Sequence, residues 1–149
     1  MRWFAPSVMP TSGSADLLAD TSVAIPLIAA DHERHDAVRQ AVVGKRLGLA
    51  GHAWFETFSV LTRLPSPARL TAAAARRAIA TNFPHSRFLS PEAAGALTNA
   101  LADHGIAGGS VYDALVGATA REHSITLCSR DRRAIETYRA LEVDVYLIE

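Results

Sequence analysis

Cysteine, lysine and net charge are almost absent from this chain of 149 residues. Cys128 is the only cysteine, so the chain forms no internal disulfide, and both a disulfide-rich secreted scaffold and a cysteine-ligated structural zinc site are excluded. Fifteen basic and fifteen acidic residues cancel, so a polyanion must be bound by a local patch or by a bound cation. Lys45 is the one lysine, and arginine, which makes planar contacts with carboxylates and phosphates, supplies the other basic positions.

Long hydrophobic runs are also missing. The opening segment MRWFAPSVMPTSGS is interrupted by two prolines and by Ser, Thr and Gly, so it is too short and too broken for a signal peptide or a membrane span. We expect a loosely ordered tail over residues 1–14, one domain over residues 15–149, no membrane association and a cytoplasmic location. Hydrophobic residues make up 49% of the chain, which is enough for a core at this length.

Short apolar runs alternate with longer helical patterns, which is typical of a parallel sheet covered by helices. The predicted strands cover residues 16–20, 47–50, 87–89, 125–128 and 144–148. The predicted helices cover residues 22–30, 33–43, 53–64, 71–82, 91–103, 110–123 and 132–141, and Ser90, Ser110 and Asp131 are the expected N-caps of the last three.

Four acidic residues lie where a solvated surface does not require them. Asp20 closes the run ADLLAD at the carboxyl end of the first strand, the edge at which open α/β sheets bind ligands. Glu56 lies inside AWFETFSVL, where we expect apolar neighbours on nearly every side and a costly unpaired charge. Asp113 lies in the first turn of SVYDALVGATA, and Asp131 follows the strand ITLCS by two residues. All four carboxylates can point into one crevice.

Each carboxylate also has an ordinary structural explanation. Asp20 and Asp131 could each be an N-cap, Asp113 could complement the helix dipole, and Glu56 could pair with a buried arginine. The convergence of four candidates favours a site, because clustered carboxylates repel one another unless a cation neutralises them. An all-oxygen site suits Mg²⁺ or Mn²⁺ rather than zinc, and such a site supports phosphodiester hydrolysis.

These segments together resemble the PIN-domain family, in particular the small VapC-like ribonuclease toxins of toxin–antitoxin pairs. LLADTSV resembles the first strand of the family, with Asp20 as first metal ligand and Ser22 as supporting hydroxyl. HAWFETFSVL resembles the helix that supplies an acidic residue, here Glu56, and GGSVYDALVGATA resembles the third acidic motif, with Asp113.

The segment LCSRD resembles the family's last motif, with the Ser129 hydroxyl where threonine is usual and Asp131 as the fourth acidic residue. The resemblance implies a three-layer α/β/α fold with a mostly parallel sheet of about five strands. It also implies that Asp20, Asp113 and Asp131 bind Mg²⁺ or Mn²⁺, and that these three and Glu56 are catalytic. An endoribonuclease that cleaves RNA, forms a homodimer and is inhibited by a cognate antitoxin is the function implied.

Arginine and aromatic side chains near these motifs are open to two interpretations. Seven arginines are involved: Arg63, Arg69, Arg76 and Arg77 around the third and fourth predicted helices, and Arg130, Arg132 and Arg133 beside the fourth acidic residue. They form either a solvated face or contacts to RNA phosphates, which position a substrate without reading its bases. We expect Trp54 and Phe55 in the core and the histidines at the surface, while Tyr112 could be either core or a base-stacking residue.

Two other classes of function compete with the nuclease. Aspartyl-phosphate proteins also place an aspartate after the first parallel strand, but they need a lysine near a late strand, and Lys45 lies between early elements. A catalytically inactive PIN-like module that binds RNA or protein remains the alternative. Metal-dependent RNA cleavage by the purified protein, abolished by a chelator, distinguishes the nuclease from the inactive module.

Overall fold

The computed structural model describes residues 14–149. The tail predicted over residues 1–14 lies outside these residues apart from the exposed Ser14. The described part contains the strands β1 (Leu17–Ala19), β2 (Leu47–Leu49), β3 (Thr126–Ser129) and β4 (Val145–Leu147). Its helices are α1 (Thr21–Ile28), α2 (His35–Val42), α3 (His52–Arg63), α4 (Ala72–Asn82), α5 (Pro91–Asp103), α6 (Ser110–Glu122) and α7 (Ile135–Ala140).

The four strands form one parallel sheet in the order β2-β1-β3-β4. Leu18 at the centre of β1 is in register with Gly48 on one side and with Leu127 on the other. The chain therefore leaves β1 towards β2 through α1 and α2, and later returns on the opposite side of β1 as β3. This reversal of direction opens a crevice at the carboxyl edge of the sheet, the position at which open parallel sheets bind ligands.

Helices cover both faces of the sheet, as the predicted three-layer α/β/α fold requires. Leu17 and Ala19 of β1 pack with residues of α1, α2 and α4, while Leu18 between them packs with residues of α5, α6 and α7. This division follows from the two-residue alternation of side chains along a strand. Because both faces are buried, β1 has no polar residue until Asp20, where the strand ends.

The fifth predicted strand, over residues 87–89, is reduced to a single parallel bridge between Ala50 and Arg87. The segment does run beside β2, where the backbone N–H of Arg87 donates to the carbonyl of Leu49 at 3.1 Å. The backbone N–H of Leu49, however, donates to the side-chain hydroxyl of Ser86 at 2.9 Å. A side chain thus takes the place of a backbone acceptor, and no continuous ladder forms.

Helix ends agree with the local signals except at two predicted caps. Ser90 caps α5 as predicted, since its hydroxyl accepts from the backbone N–H of Ala93 at 3.1 Å. The predictions for Ser110 and Asp131 are wrong: Gly109 occupies the N-cap position of α6, and α7 begins only at Ile135, after a turn. In residues 14–149, no helix is both long and apolar enough to cross a bilayer.

Candidate active site

Asp20 is the most buried of the four predicted acidic residues, with 6% of its surface exposed. Its Oδ1 accepts hydrogen bonds from the backbone N–H of Ser22 at 3.1 Å and from the Ser22 hydroxyl at 2.5 Å. Its Oδ2 accepts from the hydroxyls of Ser129 at 2.5 Å and Tyr138 at 2.9 Å. Each carboxylate oxygen therefore has two donors, which fixes the orientation of the side chain.

Ser22 and Ser129, the two predicted supporting residues, hold Asp20 in the same manner. The Ser22 hydroxyl donates to Asp20 and accepts from the backbone N–H of Arg130 at 2.7 Å. The Ser129 hydroxyl donates to Asp20 and accepts from the backbone N–H of Asp131 at 3.0 Å. These bonds join the end of β1 to the end of β3, in addition to the backbone bond from the N–H of Asp20 to the carbonyl of Cys128 at 3.3 Å.

The ordinary explanation for Asp20 is confirmed, because its side chain caps α1. Capping accounts for only one of its four hydrogen bonds. Burial raises the pKa of the Asp20 carboxyl above its usual range, and the hydrogen bonds from Ser129, Ser22 and Tyr138 oppose that increase. A buried carboxylate held by this many donors has a larger role than that of a helix cap.

Asp113 lies in the first turn of α6 and is half-buried. Burial, together with the negative charges of Asp131, Asp20 and Glu56, raises the pKa of Asp113 from 3.8 to about 6, and Arg133 acts in the opposite direction. The other three predicted carboxylates thus lie close enough to Asp113 to affect its protonation. The strain of this mutual repulsion is relieved by a proton or by a cation.

Glu56 is not enclosed by apolar side chains, and the prediction of its surroundings is wrong. Its side chain is 43% exposed and lies 3.9 Å from Nε2 of His52, one turn earlier on α3. Ala53, Thr57 and Leu61 form the buried face of α3, and Glu56 lies outside this face. Burial and the charge of Asp20 raise the pKa of Glu56, and His52 lowers it.

Asp131 lies in the turn between β3 and α7, where its Oδ1 accepts from the backbone N–H of Arg133 at 2.9 Å. The Arg133 side chain is 94% exposed, with Nε 3.5 Å from the same oxygen. The other two predicted RNA-binding arginines have different surroundings. Arg132 forms an ion pair with Glu149, and the half-buried Arg130 packs against Ser22. Arg133 is therefore the arginine of this group that is most accessible to a substrate.

Two residues of the site were missed from the sequence, Tyr138 and His52. Tyr138 is 1% exposed and donates to Asp20. Its spacing from Ala134 and Leu141 marks a buried helix face, and a buried tyrosine hydroxyl needs an acceptor, so the signal was present although the partner was not identifiable. His52 stacks on Tyr112 with ring centroids 5.0 Å apart.

The predicted burial of the aromatic residues is only partly correct. Trp54 packs against the core, but Phe55 is 58% exposed, which contradicts the prediction. Tyr112, for which two interpretations were open, is 53% exposed beside Asp113. Exposed rings therefore border the acidic residues on α3 and on α6.

The chemistry of these side chains fits a hard divalent cation, since all four donors are carboxylates. Their placement is looser than a finished coordination site: within residues 14–149, no three His, Cys, Asp or Glu side chains are grouped closely enough to hold a metal ion. Each oxygen of Asp20 is also occupied by two hydrogen bonds. Asp113 and Asp131 are more exposed than Asp20 and accept fewer hydrogen bonds.

The sequence is similar to known proteins over most of its length. The family model of the PIN domain matches residues 17–140. The chain is 44% identical over 129 residues to "Ribonuclease VapC27" of Mycobacterium tuberculosis, covering 87% of this chain and 94% of that protein. It is 43% identical over 131 residues to "Ribonuclease VapC40" of the same species, covering 87% of this chain and 96% of that protein.

Solved structures share the fold at lower identity. The VapBC2 structure from Rickettsia felis, bound to a DNA fragment from its promoter, matches with a TM-score of 0.64 at 12% identity, over 89% of this chain and 98% of the matched chain. The FitAcB structure from Neisseria gonorrhoeae matches with a TM-score of 0.59 at 22% identity, over 87% of this chain and 96% of the matched chain. These similarities support the three-layer α/β/α fold.

Proposed function

Since this chain belongs to the PIN-domain family, we propose that it is an endoribonuclease toxin that hydrolyses RNA phosphodiester bonds at the four-carboxylate site. The observation that carries the proposal is the buried Asp20 carboxylate at the carboxyl edge of the sheet, held by the hydroxyls of Ser22, Ser129 and Tyr138. Burial and the charges of the other three carboxylates also raise the pKa of Asp113. Such a cluster is unfavourable unless it serves to bind a cation. The relatives from Mycobacterium tuberculosis, which are named ribonucleases, are 43–44% identical to this chain over the aligned residues.

Asp113 and Asp131, with Asp20, would hold Mg²⁺ or Mn²⁺. A divalent cation bound there supplies positive charge that orients the phosphodiester and stabilises the charge developing on its oxygens. Ser22, Ser129 and Tyr138 keep the Asp20 carboxylate in one orientation.

Glu56 would act as the general base and then as the general acid. It is partly exposed, and its raised pKa makes its carboxylate a better proton acceptor than an ordinary glutamate. The attacking water gives a proton to Glu56 as its oxygen bonds to phosphorus. The bond from phosphorus to the leaving oxygen then breaks, and Glu56 returns its proton to that oxygen, which restores the carboxylate.

A cleavage assay tests this proposal. Purified protein should cleave single-stranded RNA in the presence of Mg²⁺ or Mn²⁺, and excess chelator should abolish cleavage. Asp103→Asn is the matched control for Asp113→Asn, because Asp103 is an exposed carboxylate at the end of α5. Equal cleavage by the two variants, or an active protein in chelator, would refute the proposed site; no cleavage by the wild type under any condition would favour the inactive binding module.

The toxin assignment requires partners, and we propose two: a second copy of the chain and an antitoxin located with it in the cytoplasm. An arginine or lysine from the antitoxin could occupy the acidic site in place of the cation, because a carboxylate cluster binds either. The structural neighbours are VapBC2 and FitAcB, whose fold this chain shares. Co-expression with the product of the neighbouring gene should suppress toxicity and yield a stable complex. Full toxicity without co-purification would refute the antitoxin proposal, and a monomer in sedimentation would refute the homodimer.

A further inference from the structure

Helix α3 presents a continuous stripe of side chains away from the core. Its buried residues are Ala53, Thr57 and Leu61. The stripe lines a groove of about 280 Å³ formed by His52, Phe55, Glu56, Ser59, Val60 and Arg63. Because these residues recur at three- and four-residue intervals, they lie on one face of the helix. The groove therefore includes Glu56, one of the four acidic residues, and runs along α3 from His52 to Arg63.

Exposed aromatic rings are concentrated beside this groove. Phe55 lies in the groove wall and contacts Phe88, with ring centroids 6.2 Å apart, and 49% of Phe88 is exposed. On the other side of Glu56, His52 and Tyr112 form a stacked pair. Large rings left in water next to a polar site mark a binding surface.

We propose that this groove binds a nucleotide of single-stranded RNA next to the scissile bond, with its base stacked on Phe55 and a phosphate bound by Arg63. The inference rests on the proposed ribonuclease function and names the form of its substrate. It implies that the base at this position is unpaired, because a base within a duplex does not expose its face to a protein ring.

The lengths and charges of the groove agree with a short stretch of RNA. Glu56 and Arg63 are seven residues apart, which is about 10 Å along the helix axis. An exposed arginine at this distance from Glu56 can bind a phosphate of the strand next to the one being cleaved. The ring of Phe55 provides a stacking surface that accepts any base, since every base has a π face.

A protein partner fits the groove less well than RNA does. Near one end the groove contains Glu56, which is part of the site at which an RNA phosphate must be bound if the chain is a ribonuclease. The other end carries the positive charge that a polyanion requires, in a protein with no net charge. A molecule bound along α3 next to this site is therefore best explained as the part of the RNA that adjoins the scissile bond.

Steady-state kinetics on the full chain test the stacking. Phe55→Leu keeps an apolar side chain but removes the ring, and Phe55→Trp keeps a ring. We expect Phe55→Leu to raise KM about tenfold with kcat nearly unchanged, and Phe55→Trp to retain the wild-type KM. Tyr146→Leu, which removes an exposed ring on β4, is the matched control and should leave KM unchanged. An unchanged KM in Phe55→Leu would refute the proposal, as would an equal change in Tyr146→Leu.

Binding measurements identify the base and the phosphate. Fluorescence anisotropy of labelled RNA on the Asp113→Asn protein avoids cleavage. An RNA with an abasic position in the groove should bind about tenfold more weakly, and the same abasic position should add nothing when Phe55→Leu is also present. Arg63→Gln should reduce the slope of log Kd against log salt by about 0.7, whereas Arg39→Gln on α2 should not. Additive losses, or an unchanged slope, would overturn the assignment.

Three further outcomes distinguish a failure of the groove assignment from a failure of the proposed function. If Phe55→Leu changes the sedimentation of the free protein from dimer to monomer, the groove is a contact between protein chains and the RNA assignment is wrong. If Asp113→Asn cleaves RNA as well as the wild type, the proposed function itself fails. Loss of cleavage in Asp113→Asn combined with no effect of Phe55→Leu refutes the groove alone.

Discussion

Asp113→Asn separates the charge of the acidic cluster from its shape. Asparagine has nearly the size of aspartate, so α6 and the surrounding packing are preserved while one negative charge is removed. In the absence of metal, the three remaining carboxylates lose a repulsive neighbour. The structure therefore predicts that the variant is inactive but no less stable than the wild type.

The size of the stability effect follows from the pKa of Asp113. An increase from 3.8 to about 6 corresponds to an upper limit of about 3 kcal/mol, and exposure of half the side chain to solvent reduces this to about 1 kcal/mol. Loss of a first-turn carboxylate costs about 0.3–1 kcal/mol through the helix dipole. The metal-free variant should thus be equal to the wild type or up to about 0.7 kcal/mol more stable at neutral pH.

The raised pKa of Asp113 also predicts how the stability difference between variant and wild type changes with pH. The folded protein binds the Asp113 proton more tightly than the unfolded chain, so burial of the charged carboxylate and its repulsion by the other three destabilise the wild type fully above pH 6. This destabilisation diminishes as pH falls from about 6 towards 3.8, where the carboxyl is protonated in both states. Any advantage of the variant should therefore be present at pH 7.5 and disappear near pH 4.

Urea unfolding in chelator at both pH values, together with RNA cleavage in Mg²⁺, measures the two effects on one preparation. We expect cleavage to fall by orders of magnitude and the wild type, but not the variant, to gain stability from added Mg²⁺. Asp103→Asn should retain full activity and show no such loss of the Mg²⁺ effect. A destabilised but active Asp113→Asn protein would show that this residue is only a helix-terminal charge.

Three further substitutions test the support of the site. Tyr138→Phe removes a buried donor to Asp20 and should lower the free energy of unfolding by about 1.5–3 kcal/mol in chelator; an unchanged urea midpoint would contradict the role given to the hydroxyl. Ser129→Thr should retain cleavage and Ser129→Ala should lose most of it, and equal activities would show that the hydroxyl is dispensable. Gly48→Ala should prevent folding or lower Tm strongly, since its Cβ would lie 2.1 Å from the backbone oxygen of His85; a wild-type melting curve would disprove this contact.

The strands and most helix boundaries were predictable because their signals are local. Asp20 follows a buried apolar run, and Ser90 with Pro91 starts α5. The exposure of Glu56 was not predictable, because AWFETFSVL is apolar around the whole helix and does not reveal which face meets the core. The pairing of Tyr138 with Asp20 joins residues 118 positions apart, which no local pattern encodes.

For Glu56, the surroundings that the sequence suggested differ from those in the structure. The sequence suggested a trapped charge, whereas the structure shows a half-exposed side chain beside His52. The predicted fifth strand over residues 87–89 does not form for another reason, since the hydroxyl of Ser86 replaces a backbone acceptor beside β2. Both differences depend on tertiary contacts that a sequence pattern does not contain.

The hydrogen bonds to Asp20 also determine when the site comes into existence during synthesis. Ser129 and Tyr138 are separated from Asp20 by 109 and 118 positions, so neither bond forms while the later residues are still inside the ribosome. Contacts between such distant residues form late, because closing a long loop costs entropy before the contact is gained. A nascent chain that carries only the first two acidic segments therefore lacks both bonds, and the support of Asp20 is completed only when the segment from Ser129 to Tyr138 has left the ribosome.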